Sequence, residues 1–168
     1  LHLYEEYGEK MLDKIEGMFA FCIADKDSLF IARDHIGIKP LYFAEKKDGS
    51  VLFTSELKTY EEHDFELKEF PPGSYYRTGG EITEYFDVPY VETENLPEDE
   101  HIHRLRKTLE DSVYKRLMSD VPLGTFLSGG LDSSIISALT AKRIDDLHTF
   151  VVGLPGSGDL PAAQLVAE

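Results

Sequence analysis

The sequence has a single cysteine, Cys22, among its 168 residues. One cysteine excludes an internal disulfide and is typical of a reducing compartment, so we expect a cytoplasmic protein. Basic residues are also scarce, with 17 Lys and Arg against 32 Asp and Glu and a formal net charge of −15. Because nucleic-acid binding needs clustered positive charge to neutralise phosphates, this balance disfavours a nucleic-acid partner.

Long hydrophobic runs and targeting segments are absent too. No run of about eighteen apolar residues occurs, which predicts no membrane-spanning helix. Residues 1–16 carry five acids among their apolar positions, unlike a signal peptide. An apolar content of 42% with 29% charged residues is typical of a globular protein. The chain starts at Leu1 inside a helical pattern and stops at Glu168 inside another, so we expect a fragment of a longer chain.

Residues 17–55 predict short strands. In “GMFAFCIAD” large and small residues alternate, which predicts a strand packed on both faces and a core position for Cys22. “SLFIARD”, “PLYFAEK” and “SVLFTSEL” predict three more strands, the last two joined by a “KDG” turn at 47–49. Residues 75–86 predict another hairpin around Gly79 and Gly80. Short strands joined by tight turns indicate an antiparallel sheet.

The pattern changes after an acidic, proline-containing stretch, which predicts a linker at 91–100 between domains at 1–90 and 101–168. An apolar stripe then predicts an amphipathic helix: Ile102, Leu105, Leu109, Val113 and Leu117. The strand “DVPLGTFL”, the helix “IISALTAKR” and the strand “LHTFVVGL” follow. This alternation predicts a parallel sheet, whose ligands bind at the carboxyl ends of its strands.

The stretch “FLSGGLDSS”, residues 126–134, lies at such a strand end and opens a helix. A helix N-terminus presents unpaired N–H groups, and Gly129 and Gly130 allow the backbone to approach a ligand closely. Three serine hydroxyls add donors, which suits a polyphosphate: Ser128, Ser133 and Ser134. A carboxylate at Asp132 would repel phosphate unless a cation such as Mg²⁺ bridges them. The loop therefore predicts a site for nucleotide phosphates with Mg²⁺.

Other motifs with a glycine-rich loop do not fit these residues. A Walker A loop needs a lysine, and none occurs between Lys115 and Lys142. The dinucleotide fingerprint G-x-G-x-x-G is absent, and Phe126 occupies the first glycine position of a nucleophile elbow around Ser128. A glycine-rich turn capped by Ser or Asp remains the alternative without a ligand.

“SGGLDSS” resembles the PP-loop of the ATP pyrophosphatases, which cleave ATP between its α and β phosphates. The wider match is to glutamine-dependent asparagine synthetase of the B type. Its synthetase domain is similar to “RLMSDVPLGTFLSGGLDSSIISAL” and “LHTFVVGLPGSGDLPAAQLVAE”. The later part of its glutaminase domain is similar to “LDKIEGMFAFCIAD”, “LFIARDHIGIKPLYFA”, “FTSELK” and “EFPPGSYYR”.

The resemblance implies an α/β and α+β fold. Residues 1–90 would be the C-terminal part of an Ntn-type αββα class II glutaminase sandwich, and residues 101–168 the start of a parallel-sheet ATP-pyrophosphatase domain. The implied reaction converts aspartate to asparagine with ATP, Mg²⁺ and glutamine-derived ammonia, through β-aspartyl-AMP. The ATP-site residues carried over are Leu127, Ser128, Gly129, Gly130, Leu131, Asp132, Ser133, Ser134 and Val152. The resemblance implies that Asp132 interacts with Mg²⁺ or the phosphates. It also implies that the enzyme could form a homodimer.

The nucleophilic cysteine of that family and its glutamine-binding residues match nothing in this chain, so the resemblance implies no catalytic residue here and an inactive fragment. A synthetase that adenylates another carboxylate, similar to β-lactam synthetase, is an alternative, as are a tRNA-modifying PP-loop enzyme and a non-catalytic fragment. Arg33 and Asp34 are expected to form a structural ion pair before a glycine turn. His101 and His103 do not share a helix face and predict no metal site.

Overall fold

The computed structural model describes residues 1–46, 49–59, 66–92 and 94–168. The chain divides into two compact units, the first Leu1–Glu92 and the second from there to Glu168. Lys47 and Asp48, in the predicted “KDG” turn, lie outside the described residues. Across the described ranges, no helix combines the length and the apolar character that crossing a bilayer requires.

The first unit contains a short helix, α1 (His2–Tyr7), a 3-10 helix (Gly8–Lys14) and two antiparallel sheets. Its first sheet has the order β1-β2-β6-β7, and its second has the order β4-β3-β5. The strands are β1 Ala20–Asp25, β2 Ser28–Arg33, β3 Tyr42–Glu45, β4 Val51–Thr54, β5 Lys68–Glu69, β6 Ser74–Arg77 and β7 Thr83–Glu84. A second 3-10 helix spans Leu57–Thr59. The predicted mixture of helices and antiparallel sheets is confirmed.

Two hydrophobic clusters form on opposite faces of the first sheet, because side chains alternate along its strands. Phe30 and Ala32 of β2 pack with Met11 and Leu12 of the helical segment. The neighbouring Ile31 points the other way and packs with residues around the second sheet: Leu41, Phe43, Phe53 and Phe70. The first unit is therefore layered, with the helical segment on one side of the first sheet and the second sheet on the other.

Cys22 does not occupy the predicted core position. Its side chain is exposed on β1, the edge strand of the first sheet. The prediction was wrong because small residues alternating with large ones on a strand do not require a second packed layer. Partial burial raises the pKa of the Cys22 thiol, which makes the reactive thiolate scarcer at neutral pH.

A buried polar network holds the turn after β2, with Arg33 and Asp34 exposed by only 4% and 1%. The Arg33 guanidinium donates to the carbonyls of Lys39, Gly37 and Phe70 and to the carboxylate of Glu69. The Asp34 carboxylate instead accepts backbone N–H groups, from Phe19 at 3.2 Å, Ile38 at 2.9 Å and Lys39 at 3.0 Å. The ion partner of Arg33 is thus Glu69, which corrects the predicted Arg33–Asp34 pair.

The Asp34 carboxylate makes the stability of the first unit depend on pH. Burial alone raises the pKa of this carboxyl group, but hydrogen bonds from the N–H groups of Lys39, Ile38 and Phe19 outweigh burial and lower its pKa. A lowered folded-state pKa contributes stability above the unfolded value of about 3.9, and this stability is lost as pH falls through the folded value.

Replacement of Asp34 by asparagine is therefore expected to destabilise the chain by about 2–3 kcal/mol at pH 7, since hydrogen bonds to an ionised acceptor are lost. The difference from the wild type should shrink as pH falls from about 3.9 through the lowered pKa of the folded state, below which the wild-type carboxyl is also neutral. Urea unfolding, followed by circular dichroism from pH 7 down to the acidic range, measures this difference in the free energy of unfolding. Asp25→Asn, at an exposed hairpin position, is the matched control. A difference that stayed constant with pH would contradict the assignment.

The second unit contains three helices and a pair of parallel strands. These elements are α2 Glu98–Lys115, β8 Gly124–Phe126, α3 Leu131–Ala141, β9 His148–Phe150 and α4 Asp159–Ala167. The last three residues of the predicted linker range, which were also expected at the start of the helix, form the first turn of α2, where the helix dipole favours acids: Glu98, Asp99 and Glu100. Leu117 lies beyond the end of α2, so the predicted stripe ends one turn earlier within the helix.

The apolar stripe of α2 has two parts. Ile102 and Leu105, near its start, are exposed. Leu109 and Val113 line an apolar groove of about 360 Å³, together with residues of β8 and α3 that include Thr125 and Ile136. An ion pair also joins α2 and α3: the Nζ of Lys142, at the end of α3, lies 3.0 Å from the Oε1 of Glu110 on α2.

Candidate functional site

The loop predicted to bind phosphates leaves the carboxyl end of β8. β8 and β9 pair in parallel, with Phe126 opposite Phe150. The N–H of Leu127 donates to the carbonyl of Phe150 at 2.8 Å, which extends the pairing by one residue. Because parallel strands end at the same edge of a sheet, the loop from Ser128 and the segment from Val151 start side by side.

Gly124 permits this parallel pairing. A methyl group at its Cα would lie 2.6 Å from the ring of Phe150 and 2.8 Å from the carbonyl oxygen of His148. Any larger residue would push β9 away from β8. The glycine at the start of β8 therefore allows both strand ends, and the segments that follow them, to come together.

Hydrogen bonds inside the loop hold its backbone in one shape. The Oγ atoms of Ser128 and Ser133 lie 3.1 Å apart, and the N–H of Ser128 donates to the Oγ of Ser133 at 3.3 Å. The Ser133 hydroxyl also contacts the carbonyl of Gly130 at 3.1 Å. Ser128 and Ser133 are thus structural members of the loop as well as exposed hydroxyl groups, which the sequence alone did not indicate.

The helix α3 begins directly after this loop. Gly130 is its N-cap residue, with φ −71° and ψ 163°, and no side chain caps the helix. The first-turn N–H groups of an α-helix have no intrahelical acceptor. Asp132 is exposed in this first turn, beside those donors. The arrangement presents a positive helix end, two serine hydroxyls and one carboxylate to solvent.

Ser134, also in the first turn of α3, carries an unsatisfied hydroxyl. Its Oγ is buried and has no hydrogen-bond partner among the described residues. A buried hydroxyl without a partner costs roughly 1–3 kcal/mol. A ligand or an ordered water molecule can supply the partner of such a group.

Ser134→Ala is expected to leave the melting temperature of the chain unchanged or to raise it, because it removes an unsatisfied buried group. Ser137→Ala, one turn along α3, is the matched control and should lower stability by about 1 kcal/mol. The Oγ of Ser137 is buried and lies 2.9 Å from the Oγ1 of Thr125. Thermal unfolding measures both variants. Equal destabilisation by the two would show that Ser134 has a partner in the folded protein.

The predicted site residues differ in exposure. Leu127 is buried at 1% exposure, so its contribution is packing and backbone placement. Leu131 and Val152 are exposed at 76% and 92%. Val152 follows β9 by two residues and lies at the same sheet edge as the loop. In the described ranges, no group of three or more His, Cys, Asp or Glu could hold a metal ion by itself.

Two family models match the chain, and their ranges overlap at residues 104–114. A family model described as “Glutamine amidotransferase domain” matches residues 1–114, and the chain belongs to this family. A second model, described as “Asparagine synthase”, matches residues 104–168, which include the loop, α3 and α4.

Among named proteins, the chain is 46% identical over 185 residues to “Asparagine synthetase B [glutamine-hydrolyzing]” of Escherichia coli (strain K12), covering 99% of this chain and 33% of that protein. It is 43% identical over 182 residues to “Asparagine synthetase [glutamine-hydrolyzing] 2” of Oryza sativa subsp. japonica, covering 99% of this chain and 30% of that protein. The chain thus spans about a third of the length of these relatives.

Among solved structures, the glutamine phosphoribosylpyrophosphate amidotransferase from B. subtilis aligns with 88% of this chain and 35% of its own. The sequence identity is 18% and the TM-score is 0.43.

Proposed function

We propose that this chain is part of an enzyme that makes asparagine from aspartate, using ATP and taking nitrogen from glutamine. Residues 1–90 would belong to the glutaminase domain, an Ntn-type αββα sandwich, and residues 101–168 to the start of an ATP-pyrophosphatase domain. The chain's similarity to glutamine-hydrolysing asparagine synthetases over 99% of its length supports this assignment. The geometry of the loop at 127–134 supports the ATP part of it.

The unsatisfied hydroxyl of Ser134 is the structural observation that most favours a ligand at the loop. It lies in the first turn of α3, where unpaired N–H groups and the helix dipole favour an anion. Ser128 and Ser133 place two further hydroxyl groups beside them. In the proposed enzyme these groups would hold the β and γ phosphates of ATP and stabilise the negative charge that develops on pyrophosphate as it leaves.

Asp132 fits a role toward Mg²⁺. Mg²⁺ is usually held by one or two protein carboxylates together with phosphate oxygens, so a single exposed carboxylate beside a phosphate loop suffices. When bound, Mg²⁺ would neutralise phosphate charge that Asp132 otherwise repels. Val152, exposed at the same sheet edge, would contact the nucleoside part of ATP. The buried Leu127 would support the loop by packing in the interior.

The proposed reaction has two steps at this site. The β-carboxylate of aspartate attacks the α-phosphorus of ATP, the bond to the bridging oxygen breaks, and pyrophosphate leaves with the electron pair. Ammonia from glutamine then attacks the carbonyl carbon of β-aspartyl-AMP, loses a proton and displaces AMP. The loop acts in the first step, by binding the leaving pyrophosphate.

Product analysis of the complete gene product that contains this chain tests the proposal. With aspartate, Mg·ATP and amide-¹⁵N glutamine, we expect amide-labelled asparagine together with equimolar AMP and pyrophosphate. A different acylated or cyclised product, as from a β-lactam-forming synthetase, would assign another acceptor. Release of ADP and phosphate instead of AMP and pyrophosphate would contradict the role of the loop.

A further inference from the structure

The glycine at the centre of the loop is in close contact with α4. Gly129 has φ +78°, a left-handed conformation that glycine adopts readily. A methyl group on its Cα would lie 2.5 Å from the Cβ of Ala162, 2.6 Å from the carbonyl carbon of Ala162 and 2.7 Å from the nitrogen of Ala163. The loop backbone therefore rests directly on the backbone of α4.

The residues of α4 at this contact are small. Ala162 is partly buried and Ala163 is exposed by only 3%. A helix presents its backbone to a neighbour at such short range only where its side chains are small. Neither alanine was among the predicted site residues, and the only sequence signal is the pair of alanines inside an apolar helical segment, which is too common to be informative.

Besides the hydrogen bonds inside it, the loop is held by contacts with β9 and with α4. On one side the N–H of Leu127 is bonded to β9, and on the other Gly129 rests on α4. Gly130, the next residue, is the N-cap of α3. A displacement of Gly129 would therefore move the start of α3, and with it the donors of its first turn.

We infer that Ala162 is a positioning residue for the phosphate loop: its small side chain lets α4 hold Gly129, and Gly129 in turn orients the first turn of α3. This inference rests on the proposed binding of ATP phosphates at the loop. Ala162 does not contact the ligand itself. Enlarging it should weaken binding of the pyrophosphate part of ATP although every loop residue is unchanged.

The test is Ala162→Val in the complete gene product, with Ala167→Val as the matched control. Ala167 is exposed at the end of the same helix, so the same substitution there does not touch the loop. Calorimetry with Mg²⁺ measures the dissociation constants of three probes: ATP, inorganic pyrophosphate and AMP, which lacks the pyrophosphate part. All measurements are made well below the melting temperature, with circular dichroism as a check on folding.

We expect the dissociation constants of ATP and pyrophosphate to rise about tenfold or more in Ala162→Val, a change of ~1.4 kcal/mol, while that of AMP changes little. Ala167→Val should bind all three probes like the wild type. If Ala162→Val does not fold, Ala162→Ser adds a single heavy atom at the same place. It should raise the dissociation constants of ATP and pyrophosphate by a smaller factor and again change that of AMP little.

The other outcomes overturn the inference. Wild-type affinity of Ala162→Val for ATP and pyrophosphate would show that α4 does not position the loop, and would leave the proposed function intact. An equal rise in the dissociation constants of all three probes would indicate general damage to the fold. A wild-type protein that binds neither ATP nor pyrophosphate would overturn both this inference and the proposed function.

Discussion

Replacement of Asp132 by alanine is expected to lower the rate of aspartate-dependent pyrophosphate release by about 100-fold or more. Removing a group that stabilises developing charge at an active site typically costs a factor of this size. The carboxylate is exposed in the first turn of α3, on the residue next to Ser133. In the proposed enzyme it would help to hold Mg²⁺ against the phosphates, so the variant should also need more Mg²⁺ for half-maximal activity.

The measurement is a pyrophosphate-release assay on the complete gene product over a range of Mg²⁺ concentrations. Asp146→Ala is the matched control, because Asp146 is also an exposed aspartate of the second unit but precedes β9, at the sheet edge opposite the loop. The control should retain wild-type activity. Unchanged activity and Mg²⁺ dependence in Asp132→Ala would remove Asp132 from the proposed site.

Replacement of Arg33 by alanine is expected to destabilise the chain by about 3 kcal/mol or more, because several hydrogen bonds from a charged donor are lost. Its guanidinium is buried and satisfies three backbone carbonyls in the turn after β2: Gly37, Lys39 and Phe70. The bond to the carbonyl of Phe70 is buried, and a buried carbonyl left without a donor carries a desolvation penalty of roughly 1–3 kcal/mol. Lysine at this position should recover only part of the loss, since it lacks the planar fork of donors.

Urea unfolding followed by circular dichroism measures this change. Arg77→Ala, which removes an exposed arginine from β6 of the same sheet, should change the free energy of unfolding by no more than about 0.5 kcal/mol. A loss for Arg33→Ala as small as that of the control would mean that water satisfies the three carbonyls and that the network does not hold the turn.

The strands of the first unit could be predicted from sequence because alternation and turn residues are local signals. The predicted strands β1 and β2 pair antiparallel, and the predicted hairpin around Gly79 and Gly80 forms between β6 and β7. Residues that depend on long-range contacts could not be predicted in the same way. The exposure of Cys22 depends on the place of β1 at the edge of its sheet, and the pairing of Arg33 with Glu69 joins residues far apart in sequence.

In the loop, too, the residue types could be read from the sequence, whereas the contacts between them could not. Its residue types indicated a phosphate site, and the structure places them after a strand and at the start of a helix. The sequence did not show that Ser128 and Ser133 bond to each other, that the hydroxyl of Ser134 is unsatisfied, or that Gly129 rests on α4. The contact of Gly129 with α4 joins residues far apart in sequence, and the parallel pairing of β8 with β9 starts the segments that carry them side by side.

The most direct test of the central claim, activation of aspartate at this loop, is ATP–pyrophosphate exchange by the complete gene product with Mg²⁺ and a panel of amino acids and other carboxylates. We predict exchange that requires aspartate, because adenylation of its β-carboxylate is reversible and releases pyrophosphate from the loop. Exchange with a different carboxylate and none with aspartate would contradict the proposed substrate. No exchange with any carboxylate, from a folded protein that binds ATP, would contradict the adenylation mechanism.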